Sequence, residues 1–218
     1  MLDIVIPIYD DFTALDAVGP YEVLSRVGRV RFAGVEAGPV MTDNGMLTVV
    51  AETSLAEASS PDVVVVPGGT GTRALTTDPV WLDWLRTVHA TSTWTTSVCT
   101  GSLLLGAAGI LDGLRATSHW LELETLREYG AEPTGQRVVV EGKVMTAAGV
   151  SAGIDMALTL AARIAGDDAA KAIQLAIEYD PQPPFDCGSV AKSDPAVVSV
   201  IRAAVAARVS ASQERAGA

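Results

Sequence analysis

The sequence predicts an α/β protein built on a mostly parallel sheet, and three observations carry that prediction. Strand-like and helix-like segments alternate along the chain. The central strand candidates are unbroken apolar runs, the four valines of 63–66 being the clearest. Such runs fit strands covered by helices on both faces, the situation of a parallel sheet. Finally, 218 residues, 49% of them hydrophobic, suffice for one large core.

Each element can be justified in turn. LDIVIPIY (2–9), short and rich in β-branched residues, reads as a buried strand. Residues 13–27 have helical spacing, with Gly19-Pro20 as an interruption or restart. A second strand is expected over 30–37, and Asn44-Gly45 with alternation behind it predicts a hairpin-like excursion over 40–53. DVVVVPGGTGT (62–72) is a central strand running into a glycine turn. Pro79 in a first turn, with Trp81, Leu82, Trp84, Leu85 and Val88 on one face, predicts a helix over 78–90.

STWTTSV (92–98) is the next strand and TGSLLLGAAGIL (100–111) the helix after it. An amphipathic helix closed by Gly130 is expected over 118–130, then a hairpin over 136–147 turning on Glu141-Gly142. Two helices follow, over 151–166 and 168–179, then a Pro-rich loop (180–190) and a final helix (194–210). No repeat or linker interrupts the pattern, so a single domain is expected over 1–218.

The charge narrows the function. With 26 acidic against 15 basic residues the net charge is −11, which disfavours nucleic acid and anionic membranes as partners. Two cysteines, Cys99 and Cys187, do not make a disulfide scaffold. The N-terminus has neither a basic n-region nor a cleavage site, and its apolar run is too short to span a membrane. A cytoplasmic protein with reduced thiols is expected. No cluster has metal-ligand spacing, and neither a G-x-G-x-x-G after a strand nor a P-loop is present, so neither metal nor cofactor is expected.

In open α/β sheets ligands bind beyond the carboxyl ends of the strands. Asp16, the Gly68-Gly69-Thr70 turn and Cys99 all fall at such ends. SVCTG has the shape of a nucleophile elbow: a nucleophile on a tight turn, a small residue two positions later, and a helix immediately after. The helix start is expected to favour the thiolate of Cys99. The Thr100 amide, with an amide of the Gly68-Gly69 turn, forms an expected anion-binding hole.

Pattern alone leaves alternatives open. Most buried cysteines are inert. Thr13 and Asp16 fit a capping box, the reading that spacing favours over catalysis for Asp16. The glycine pair can be only a turn. His119 is a candidate base for Cys99 or a partner for backbone groups at a helix start; His89 reads as a solvated helix end, and Cys187 has no site context.

VVVVPGGTGTRAL, TSVCTGSLLLGAAGILDGLRATSHW and GVSAGIDMALTLAARIAG resemble the DJ-1/PfpI superfamily, and ALDAVGPYEVL near the N-terminus fits it too. The resemblance spans roughly residues 3–205. It implies a flavodoxin-like three-layer sandwich of the class I glutamine amidotransferase type, commonly a homodimer. Asp16 with Cys99-Thr100, and the late LAIEYDPQPPFDCGS, are similar to the isocyanide (isonitrile) hydratase subgroup. Peptidase members carry histidine directly after the cysteine, and this chain has Thr100. Members fused to a DNA-binding module share the CTG elbow, but about 25 residues follow Ser193, which argues against a helix-turn-helix domain.

The resemblance therefore implies an isocyanide hydratase without cofactor. Cys99 would be the nucleophile forming a thioimidate, Asp16 the general acid/base, and Thr100 an orienting residue, with Gly68, Gly69 and Thr70 binding substrate. The apolar pocket wall would include residues near Trp120 and Val150. Two other functions remain open: a glyoxalase- or deglycase-like activity on α-oxoaldehydes using Cys99 with Asp16 or His119, and a non-enzymatic redox sensor built on Cys99.

Overall fold

The computed structural model describes residues 1–216, with side chains described through residue 207. Its centre is a seven-stranded sheet. In chain order the elements are β1 (Asp3–Pro7), α1 (Ala14–Leu24), β2 (Arg29–Gly34), β3 (Gly38–Met41), β4 (Thr48–Ala51), β5 (Thr53–Ser54), β6 (Val63–Val66), α2 (Thr72–Leu75) and α3 (Pro79–Thr91). There follow β7 (Trp94–Val98), α4 (Gly101–Ala107), β8 (Arg115–Ala116), α5 (Leu123–Glu128), β9 (Glu132–Pro133), β10 (Val138–Glu141), β11 (Val144–Ala147), α6 (Ala152–Ala165), α7 (Asp167–Ala176) and α8 (Pro195–Ala216).

The sheet order is β10-β11-β7-β6-β1-β2-β5. All its pairings are parallel except that of β10 with β11. Ile4, Val5, Ile6 and the four valines of β6 are fully buried, as apolar runs require when helices cover both faces. Helices α1 and α6 pack together on one face, and α2, α3, α4 and α5 cover the other. This is the expected flavodoxin-like three-layer sandwich. The strand order reverses direction between β1 and β6, and there the ends of β1, β6 and β7 lie side by side.

The two expected hairpins form. β3 pairs with β4 around a loop in which Asn44 Oδ1 accepts from Thr42 Oγ1 and Met46 N, both at 3.0 Å. β10 and β11 turn through Gly142, whose φ is +58°.

Three expectations are corrected. Gly19-Pro20 does not interrupt α1, which runs unbroken from Ala14 to Leu24. A Cβ on Gly19 would stand 3.1 Å from Ile154 Cγ1, and one on Gly153 3.3 Å from Pro20 Cδ. The pair thus seats α1 tightly on α6, and that packing holds the helix through the proline despite the lost N–H. The helix expected over 118–130 is confined to Leu123–Glu128. Its first half is pinned as a loop: the Thr117 amide donates to Thr146 Oγ1 at 2.9 Å, and Ser118 Oγ to Cys99 O at 3.1 Å. Finally, α4 ends at Ala107, before Gly109 takes φ +78°.

Candidate active site

Cys99 sits directly after β7 with φ +57°, a left-handed conformation that costs a non-glycine residue about 1–2 kcal/mol. Several bonds impose it. The Cys99 amide reaches both Ala147 O and Ala148 O at 3.1 Å, and Cys99 O accepts the hydroxyls of Ser102 and Ser118 at 3.1 Å each. Gly101 makes room for the corner, because a Cβ there would lie 2.1 Å from Val66 O.

Asp16 reaches the same point from α1. Its carboxyl is fully buried, and Oδ2 accepts the Gly68 amide at 2.9 Å. The capping-box alternative fails on geometry. Thr13 occupies the N-cap but makes no side-chain cap bond, donating instead to Asp43 Oδ2 at 2.8 Å. Asp16 Oδ1 has no hydrogen-bond partner of either kind, while the carboxyl and the Cys99 thiol each act on the other's pKa.

The electrostatics agree. Burial pushes the Asp16 acid up to about 8; the Gly68 amide and the Cys99 contact pull it back, and the charge of Asp43 adds to the rise. Burial also pushes the Cys99 thiol well above its ordinary value, and the Asp16 charge adds to that. The amides of Val150 and Thr100 oppose the rise by bonding to the sulfur. Burial thus pushes both groups toward their neutral forms, carboxylic acid and thiol. The expected pull of the helix start toward thiolate is opposed here by burial, and α4 is only seven residues long.

The amides expected to form the anion hole are divided between different partners. The Thr100 amide lowers the Cys99 pKa, whereas the glycine amides bond elsewhere: Gly68 N to Asp16, and Gly69 N to Thr100 Oγ1 at 2.9 Å. The Val150 amide also lowers the Cys99 pKa, from a backbone at φ +33°, an unusual conformation for a β-branched residue. Gly68 still matters for space, since a Cβ there would lie 2.5 Å from Thr100 N and 2.9 Å from Asp16 Oδ2.

Cys99 and Thr100 open onto a pocket of about 160 Å³ together with Gly69, Thr70, His119 and Val150. His119 is thus near Cys99; burial lowers its pKa, against the opposing charge of Glu122, and its Nδ1 accepts the Leu121 amide at 3.4 Å. Glu122, itself buried, pairs with Arg73 at the pocket edge and accepts the Thr125 hydroxyl at 2.9 Å. Val205 of α8 also lines the pocket, and Arg202 lies 4.9 Å over the Trp120 ring. His89 bonds Thr95 Oγ1 at 2.9 Å, and Cys187 is exposed in its loop; neither lines this pocket. Among the described residues no group of three or more His, Cys, Asp or Glu could hold a metal ion, and no helix is long and apolar enough to cross a membrane.

Sequence reasoning missed the Val150 amide, because a backbone donor carries no residue-type signal. It also missed Thr72, fully buried beside Thr100, and the Arg73–Glu122 pair. A threonine opening a four-residue helix and an ion pair 49 residues apart in sequence match no motif.

The fold and this corner define a class: three-layer α/β proteins with a cysteine on a strained strand-to-helix turn at the sheet's switch point. The sequence profile of the DJ-1/PfpI family matches residues 3–163, and the chain belongs to that family. It is 44% identical over 190 residues to an isonitrile hydratase from Pseudomonas putida, covering 86% of this chain and 83% of that one. It is 32% identical over 175 residues to the HTH-type transcriptional regulator CdhR of Pseudomonas aeruginosa, covering 77% of this chain but 49% of the regulator, about half its length. Among solved structures, a ThiJ/PfpI family protein from Pseudomonas syringae superposes with a TM-score of 0.91 at 34% identity, covering 96% of this chain and 88% of that one.

Proposed function

We propose that the protein is an isocyanide hydratase, adding water to R–N≡C to give the N-substituted formamide. The observation that carries this reading is the buried Asp16–Cys99 pair. An isocyanide carbon must receive a nucleophile and a proton, and here a buried acid pushed up to about 8 stands beside a thiol whose pKa the Val150 and Thr100 amides pull back down. The similarity to the Pseudomonas putida isonitrile hydratase supports the same reading.

The chemistry balances with the resting protons. Asp16 gives its proton to the isocyanide carbon as the Cys99 sulfur bonds to that carbon, and the thiol proton passes to the Asp16 carboxylate. The product is the thioimidate R–N=CH–S–Cys99. Asp16, again an acid, then protonates the imidate nitrogen while water attacks the carbon and yields its proton to the carboxylate. The tetrahedral adduct loses Cys99 as thiol and leaves the formamide. The amides of Val150 and Thr100 stabilise charge on sulfur as it enters and leaves, and the Thr100 hydroxyl orients the water.

We take the protein to be a cytoplasmic homodimer. Exposed apolar Leu15, Val18 and Tyr21 on α1, and Met46, Leu47 and Val50 on the β3–β4 hairpin, are surface that a second copy would cover.

The test is turnover of a panel of alkyl and aryl isocyanides followed by formamide mass, with methylglyoxal in parallel. Formamide without loss of methylglyoxal is expected. Loss of methylglyoxal alone would replace this reading with the oxoaldehyde one, and a peroxide-sensitive Cys99 with no turnover would favour the thiol sensor.

A further inference from the structure

Behind the Thr100 hydroxyl lie two further hydroxyls, those of Thr72 and Tyr9, that the mechanism above does not use. Thr72, the first residue of α2, is fully buried, and its Oγ1 touches three partners: Gly69 O at 2.6 Å, Thr100 Oγ1 at 2.9 Å and Tyr9 OH at 3.1 Å. Tyr9 OH also lies 2.7 Å from Pro67 O. The Thr100 oxygen accepts the Gly69 amide at 2.9 Å and stands 3.2 Å from Gly69 O.

Counting protons narrows the directions. A carbonyl oxygen only accepts. Pro67 O takes the Tyr9 proton, and Gly69 O takes that of Thr72, its shortest contact. The Thr100 proton is left with Thr72 Oγ1 at 2.9 Å, its nearer acceptor, or Gly69 O at 3.2 Å, which is long for a hydroxyl donor. Both acceptors belong to the 69–72 loop. The Thr100 proton therefore points into that loop; its oxygen takes the Gly69 amide on one lone pair and keeps the other, and Thr100 itself lines the pocket.

We infer that Thr72 is a positioning residue: by taking the Thr100 proton, it presents the Thr100 oxygen as an acceptor that orients the water attacking the thioimidate. The inference rests on the hydratase reading and adds to it a division of labour. Asp16 and Cys99 form the adduct, and the Thr72–Thr100 pair serves its hydrolysis. Tyr9 anchors the loop through Pro67 and lies outside that function.

Single-turnover rapid quench with intact-mass detection separates the two steps, using an isocyanide that the wild type hydrates. Thr72→Val is expected to form the Cys99 adduct at the wild-type rate and to hydrolyse it about tenfold more slowly, the scale of one neutral hydrogen bond. The adduct mass should then persist. Thr72→Ser should restore hydrolysis, and Tyr9→Phe should leave the ratio of the two rates unchanged even if its melting temperature falls. Thr72→Ala serves in place of the valine variant should that one fail to fold. Equal rates to wild type, or both steps slowed in proportion, would overturn the role of Thr72 while the hydratase reading stands. Absence of formamide from the wild type would overturn the hydratase reading, and this inference with it.

Discussion

Asp16 Oδ2 accepts the Gly68 amide at 2.9 Å, joining the first turn of α1 to the glycine turn after β6 across 52 residues of sequence. That bond holds a buried carboxyl at the end of the sheet with its other oxygen free of donors. Asp16→Asn keeps the size and an acceptor for Gly68 but cannot deliver a proton. Its hydration rate is expected to fall by about a hundredfold to ten-thousandfold, the range of general acid catalysis, with the melting temperature retained. Steady-state formamide production against isocyanide concentration measures it.

The raised acid also sets a stability profile. Between roughly pH 4 and pH 8 the folded protein keeps the Asp16 proton while the unfolded chain releases it. The native state then binds more protons, so this group's contribution to stability is full below pH 4 and is lost as pH rises towards 8. The slope is at most about 1.4 kcal/mol per pH unit for one proton. Urea unfolding of wild type and Asp16→Asn across that window should show the difference between them shifting towards the variant as pH rises.

Activity should follow the same group in the same direction. Because the acid form supplies the proton to carbon, kcat/KM for an isocyanide is expected to decline as pH rises through about 8. A rate that climbs through that region would instead identify the ionised pair as the active form.

The central strands and the cysteine elbow were legible from the sequence because their signals are local. Four consecutive valines have few other places in a fold, and a cysteine followed two positions later by Gly101 matches a corner that a Cβ would block. The partners of the elbow were not legible. Whether Asp16 caps a helix or faces a cysteine depends on where Asp43 draws Thr13, a contact 30 residues away. The amphipathic pattern of 118–130 is genuine, yet tertiary bonds from Thr117 and Ser118 override it and deliver His119 to the pocket as a loop. Pro20 likewise reads as a breaker until α6 is seen packed against it.

Gly68 tests the packing of the corner. In Gly68→Ala the new methyl meets Thr100 N, Thr100 Oγ1 and Asp16 Oδ2, all closer than 3.0 Å and two of them fixed by hydrogen bonds. Overpacking of this kind costs about 1–3 kcal/mol. A lower melting temperature with near-complete loss of hydration is expected, measured by thermal unfolding and formamide assay on the same preparation.

Ser118 tests how the elbow is held. Ser118→Ala removes one of two hydroxyls on the Cys99 carbonyl, and a loss of about 1 kcal/mol is expected from denaturant unfolding. Activity should fall less than in Asp16→Asn, since Ser102 still binds the same carbonyl.

The most direct test of the central claim, that Asp16 and Cys99 act together at an isocyanide carbon, is formamide production by wild type, Cys99→Ala and Asp16→Asn on one isocyanide under one set of conditions. The account predicts formamide from the wild type, none above background from Cys99→Ala, and at most about a hundredth of the wild-type rate from Asp16→Asn. Full activity in either variant would contradict it.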